Sequence, residues 1–214
     1  QQHALATQRL AEHIARHHFK MEPQDTMVVG FAAILHDLAR TQPFHGEDPG
    51  HRTEGLARAH AALLSDQQFA RHVALHERVL GLLSKHNLDS PILPVEPLAI
   101  CLWDADSYES LRHAPNTGAG RDISKRRLAR VVSTWAKSPV RQQHYAICCE
   151  EGSWAVALKR GQDGVLRVGR YAFSDVGAAY RYTNPDEAML VALMIRAVEH
   201  GAPGTFIEGD TPTG

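Results

Sequence analysis

The stretch FAAILHDLAR, residues 31–40, sets the strictest condition on how this chain can fold. It carries an imidazole and a carboxylate, His36 and Asp37, side by side to the end of an apolar helical run. An isolated charge in a protein core is strongly unfavourable unless it is paired or bound to a metal. Any fold for this sequence must therefore bring a compensating charge to this point. Eleven of the fourteen histidines lie in the first 86 residues, so imidazole chemistry is concentrated there.

Apolar periodicity predicts helices first and strands later. Residues 3–18 repeat Leu10 and Ile14 on the face that also carries His3. Residues 23–40 form a second helix opened by Pro23, with Met27, Phe31, Ile34, Leu35 and Leu38 on its apolar side. HRTEGLARAHAALL makes a third helix after a loop rich in Pro and Gly, and residues 67–86 make a fourth. A fifth starts behind Pro97, and a basic helix covers 121–137. Beyond residue 142 the period changes to two. HYAICCEE, SWAVALKR and GVLRVGRYAF read as three short strands, followed by a helix from Asn184 to Gly201.

On these helices the polar residues of interest point inward. His86 follows Val79, Leu82 and Leu83 at helical spacing, and Asp106 follows Leu98 and Leu102 at steps of four. Four helices each aiming a His or Asp at one core need a shared counter-charge, which a bound cation supplies. Ligands of this kind without cysteine suit Mn, Fe, Ni, Co or Zn better than Ca or Mg.

Composition narrows the partners. With 214 residues, 43% of them hydrophobic, the chain can bury a full core. A net charge of -1 gives no overall attraction to nucleic acid or an anionic membrane, so phosphate recognition must be local. No apolar run reaches the roughly 18 residues of a membrane span. Three cysteines, an odd number, point to a reduced, cytoplasmic protein.

The ordered set of residues over 3–112 resembles the HD-domain metal-dependent phosphohydrolases. HALATQRLAEHIA is similar to the family's first helix, AAILHDLAR to its signature helix, and HRTEG to the His-x-x-x-Gly of binuclear members. LLSKHN resembles the helix end with the next His, and DADSYESL the closing Asp helix. The resemblance implies a mainly α, HD-type helical bundle. It also implies a first metal site of His3, His36, Asp37 and Asp106, and a second of His51 and His86 sharing Asp37. Hydrolysis of a phosphate ester or phosphoanhydride, on a small phosphorylated substrate such as a nucleotide, by a metal-activated water is the implied reaction.

Ala39 and Arg40 stand where the family commonly has Gly and Lys, so Arg40 is a candidate phosphate-binding and catalytic cation, with a helix-end charge as the other reading. Lys85 is a second candidate for the substrate phosphate. No GYP-type motif follows His86, which argues against cyclic di-GMP cleavage. His13 competes with His3, and Asp104 with Asp106, as ligands. A di-iron oxygenase on the same scaffold and a non-catalytic ligand-sensing module are the alternative functions.

Residues 1–138 are thus expected to form the metal-binding bundle. Residues 139–214 form a small α+β appendage, a three-stranded antiparallel sheet plus a helix, ending in a disordered tail. The appendage carries no catalytic set and reads as a binding or assembly element. The choice within DADSYESL is testable by metal titration. Asp106→Asn should lose metal far more than Asp104→Asn, and the opposite ranking would shift the register by two residues.

Overall fold

A computed structural model of the chain describes residues 2–39, 49–65, 72–86, 96–112, 129–151, 154–172, 179–182 and 204–206. Packing divides it into two units, Gln1–Ile123 and Ser124–Gly214. The first unit is helical. It contains α1 (Gln2–His13), extended by a π-helical turn over Ile14–His18, then α2 (Pro23–Leu35), α3 (Pro49–Ser65), α4 (Val73–His86) and α5 (Pro97–Arg112).

Helix α1 packs on α2 and α5, and α2 packs on α4 and α5. Small side chains make these approaches close. Ala11, Ala15, Ala32, Ala33 and Ala105 are all fully buried, with Ile14, Val28, Val29, Val79, Ile100 and Leu102 filling the space between. At Gly30 the side chain of Glu12 from α1 occupies the space that a Cβ would take. The bundle therefore brings backbones together where its helices carry histidine and aspartate.

Two helix ends differ from the periodicity. The helix expected over 3–18 keeps α geometry only to His13, after which Phe19 N bonds Ile14 O at 3.1 Å and Met21 N bonds Ala15 O at 2.9 Å. Lys20, at φ 55°, then turns the chain out of the helix. The helix expected over 23–40 stops at Leu35, and residues 36–39 form a turn. The cause is local. His36 Nδ1 donates to the Ala33 carbonyl at 2.7 Å, so an imidazole takes one of the helix-end acceptors, and Leu38 N bonds Leu35 O at 3.2 Å. Helix α4 is described from Val73, and the preceding residues 66–71 lie outside the described part.

The second unit is α+β. A helical segment over 129–136 (α6) precedes α7 (Pro139–His144), whose Ser138 cap accepts from Arg141 N at 3.4 Å. Strands β1 (Ala146–Glu151), β2 (Trp154–Arg160), β3 (Leu166–Ala172), β4 (Ala179–Tyr182) and β5 (Gly204–Phe206) follow. They form one sheet in the order β4-β1-β2-β3-β5. The expected antiparallel meander is its centre, with Ile147 opposite Leu158 and Leu158 opposite Val168. Short strands extend it in parallel at both edges, β4 on β1 and β5 on β3.

A two-residue period is that of half-buried strands, yet here both faces are buried. Ile147, Leu158 and Val168 on one face and Ala146, Cys148 and Ala157 on the other are all buried, with Tyr171 packed on the second group. Small residues on that second face let it be covered closely. Helix α6 belongs to this unit, although the expected boundary at 138 would assign it to the first. Trp135 Nε1 donates to Tyr145 O at 3.1 Å, and Gln142 Nε2 donates to Trp135 O at 3.0 Å and Ala136 O at 2.7 Å. The helix expected over 184–201 lies outside the described residues, and the tail expected to be disordered instead contributes β5, which pairs with β3 at Gly204–Phe206; residues 207–214 lie outside the described part. No helix among the described residues is long and apolar enough to cross a membrane.

Trp135 is fully buried and carries the link from α6 to the strand start. Trp135→Ala should destabilise the second unit by about 3–5 kcal/mol, whereas Trp135→Phe loses chiefly one hydrogen bond, about 1 kcal/mol. Chemical denaturation followed by circular dichroism checks this ranking, and equal midpoints for the Ala variant and the wild type would contradict it.

Candidate metal centre

Five side chains from four helices converge in the first unit. His3 comes from the first turn of α1, His36 and Asp37 from the turn closing α2, His86 from the last residue of α4, and Asp106 from the middle of α5. His3 Nε2 lies 3.0 Å from Asp106 Oδ1 and 3.8 Å from Asp37 Oδ2. His36 Nε2 lies 3.3 Å from Asp106 Oδ1 and 3.5 Å from Asp37 Oδ2. His86 Nε2 stands 3.7 Å from Asp106 Oδ2. Two overlapping donor sets result: His3, His36 and Asp37, and His36, His86 and Asp106, each with ligand atoms within 4.8 Å of one another.

His36 belongs to both sets, and its protonation is constrained. Its side chain is 1% exposed, and a carbonyl acceptor at Nδ1 requires that nitrogen to carry the proton. The other nitrogen, Nε2, then faces two carboxylates, at 3.3 Å and 3.5 Å. A neutral ring would point a lone pair at two anions, which is repulsive. Either a second proton or a cation must stand there. Burial opposes the charged ring, yet Asp106 and Asp37 outweigh it and raise the His36 pKa to about 9. Burial likewise opposes ionisation of Asp106, but hydrogen bonds from His3 and His36, with the charges of His36 and His86, hold it well below the usual carboxylate range.

The donor chemistry fits a divalent transition ion. Imidazole nitrogens and carboxylate oxygens without thiolate are the set expected for Mn, Fe, Ni, Co or Zn. The His36 Nδ1–H bond to a backbone carbonyl is the kind of outer contact that leaves Nε2 available to a metal ion. Thr7 Oγ1, 3.5 Å from His3 Nε2, and Ser110 Oγ, 3.5 Å from Asp106 Oδ1, flank the cluster. Both lie four residues after the group they flank, the spacing at which helix neighbours meet, so they were open to recognition in the sequence.

The remaining candidates divide clearly. His13 points to His17 and His18, with ring centroids 4.6 Å and 5.5 Å away, and stands outside the donor sets. Asp104 is 1% exposed on α5 and is also outside them. Lys85 forms an exposed ion pair with Glu96. The backbone of His51 is in α3, but its side chain lies outside the described part, as does Arg40.

The family model of the HD domain matches residues 1–111, the part of the chain that contains all five clustered side chains. No curated protein and no solved structure matches the chain. The chain therefore belongs to the HD-domain family, whose members are generally metal-dependent phosphohydrolases.

Proposed function

We propose that the chain is a metal-dependent phosphohydrolase that cleaves a phosphate ester or phosphoanhydride, with a nucleotide as the substrate. The observation that carries this reading is His36 Nε2 held between Asp37 and Asp106 while its Nδ1 is committed to Ala33. His3, His36, Asp37 and Asp106 would hold one ion, and His86 with His51 a second. A bound divalent ion supplies Lewis-acid charge, which brings a water close to its ionised form at neutral pH and offsets the negative charge of a phosphate.

The residues of the chain prepare that chemistry. Asp106, flanked by three imidazoles, stays ionised and holds the charge balance of the cluster. The Ala33 carbonyl holds the His36 ring in one orientation, with Nε2 turned toward Asp37 and Asp106. Asp37, next to His36 on the turn closing α2, approaches both His3 and His36 and would be the carboxylate shared by the two ion sites. Arg40, three residues beyond Asp37, is the cation we assign to the phosphate oxygens, because a guanidinium fork fits two of them at once. Lys85 would have to leave Glu96 to assist.

Protein loaded with Mn, Fe, Ni, Co or Zn, tested against nucleoside mono- and triphosphates, cyclic nucleotides and dinucleotides, should release phosphate or a nucleoside monophosphate from at least one class. Loss of a residue that merely orients a metal ligand costs about 10–100-fold, so His36→Ala and Asp37→Ala should lose at least about a hundredfold with helical content retained. Wild-type turnover in either variant would place the reaction elsewhere. Oxygen uptake by the iron-loaded protein, with no hydrolysis of any phosphate substrate, would replace this reading with an oxygenase.

A further inference from the structure

A second pair of imidazoles lies apart from the cluster, between α3 and α4. His60 and His76 have ring centroids 5.1 Å apart, with their planes at 66°. Histidines of the metal centre are spaced alike, His3 and His36 at 5.4 Å and His36 and His86 at 5.5 Å. Two imidazoles that bind one tetrahedral ion through nitrogens about 2.0–2.1 Å away have ring centres about 5 Å apart. The separation of the pair is compatible with a shared ion, as it is with edge-to-face ring packing, so the distance alone does not decide.

The burial of His76 is the independent observation. It is 7% exposed, and among the described residues its Nε2 has no hydrogen-bond partner. A buried nitrogen left without a partner is unfavourable, and polar groups in cores normally have one. His60 is exposed, so the pair is reached from solvent on that side. His76 precedes His86 by ten residues on α4, about 15 Å along the helix axis, which separates this pair from the centre already described.

We propose that His60 and His76 form an accessory site for a divalent transition cation of the zinc type, with water completing its coordination. Such an ion replaces the missing partner of His76 and joins α3 to α4. Helix α3 carries His51 near its start and α4 ends at His86, so the ion would also tie together the two helices that bear the proposed ligands of the second catalytic ion. That last consequence rests on the function proposed above; the binding itself does not.

Equilibrium dialysis of the full chain against Zn2+ with elemental analysis tests the site, using wild type, His60→Ala, His76→Gln and Asp37→Asn. Wild type should bind one equivalent more than His60→Ala or His76→Gln, or the affinity of that equivalent should fall by about tenfold or more in both. Asp37→Asn should keep it, so loss of the main centre and loss of this pair are read separately. Nitrogen-detected NMR of the His76 ring in the wild type should show a shift on zinc addition, which covers the case where His76→Gln does not fold. Equal zinc binding by wild type and His60→Ala, loss in His60→Ala but not in a folded His76→Gln, or an unmoved His76 ring would each overturn the proposal.

Discussion

One imidazole between two carboxylates governs the first unit. His36 Nε2 lies 3.3 Å from Asp106 and 3.5 Å from Asp37, while Nδ1 is tied to the Ala33 carbonyl at 2.7 Å. The backbone bond removes the choice of tautomer, and the two acids remove the option of a bare lone pair. What remains is a ring that is either an imidazolium or the ligand of a cation. The raised pKa of His36, about 9, shows how strongly the surroundings favour positive charge there. A site that stabilises a proton this well in a buried position is equally arranged for a metal ion, since both answer the same field.

The bundle exists in the form it does to hold that arrangement. Each ligand candidate sits at or near a helix end or on a helix that packs against α1 or α2. Alanines at the α1 and α2 contact let backbones approach where larger side chains would push the rings apart. The turn at residues 36–39 is part of the same device. Where α2 ends at Leu35, the imidazole takes the Ala33 carbonyl in place of the helix ladder, which turns a helix terminus into the support for a ligand candidate.

Much of this was legible in the sequence, and for one reason. The 3.6-residue period states which residues share the apolar face, so His3, His36, His86 and Asp106 could be placed inward from spacing alone. Asp106 is preferred to Asp104 only through the resemblance of DADSYESL to the family's closing helix, and the structure buries Asp104 outside the donor sets. Other features carry no such signal. The early end of α2 and the π turn at Ile14–His18 depend on individual hydrogen bonds that compete with the helix ladder. Strands β4 and β5 pair in parallel with partners far away in the chain, so no local turn marks them. Ala146, Cys148 and Ala157 look like the exposed positions of alternating strands, but they line a second buried face. The His60 and His76 contact joins two helices through residues that each read, alone, as ordinary helix histidines.

The central claim is that His36 is built to bind a cation through Nε2. Nitrogen-detected NMR of the His36 ring in metal-free protein near pH 7, before and after Zn2+ is added, tests it directly. Without metal, a folded-state pKa of about 9 makes both ring nitrogens protonated at that pH. With zinc, Nε2 should lose its proton and take the shift of a coordinated nitrogen, while Nδ1 keeps its proton on the Ala33 carbonyl. A ring that stays doubly protonated at saturating zinc would contradict the account.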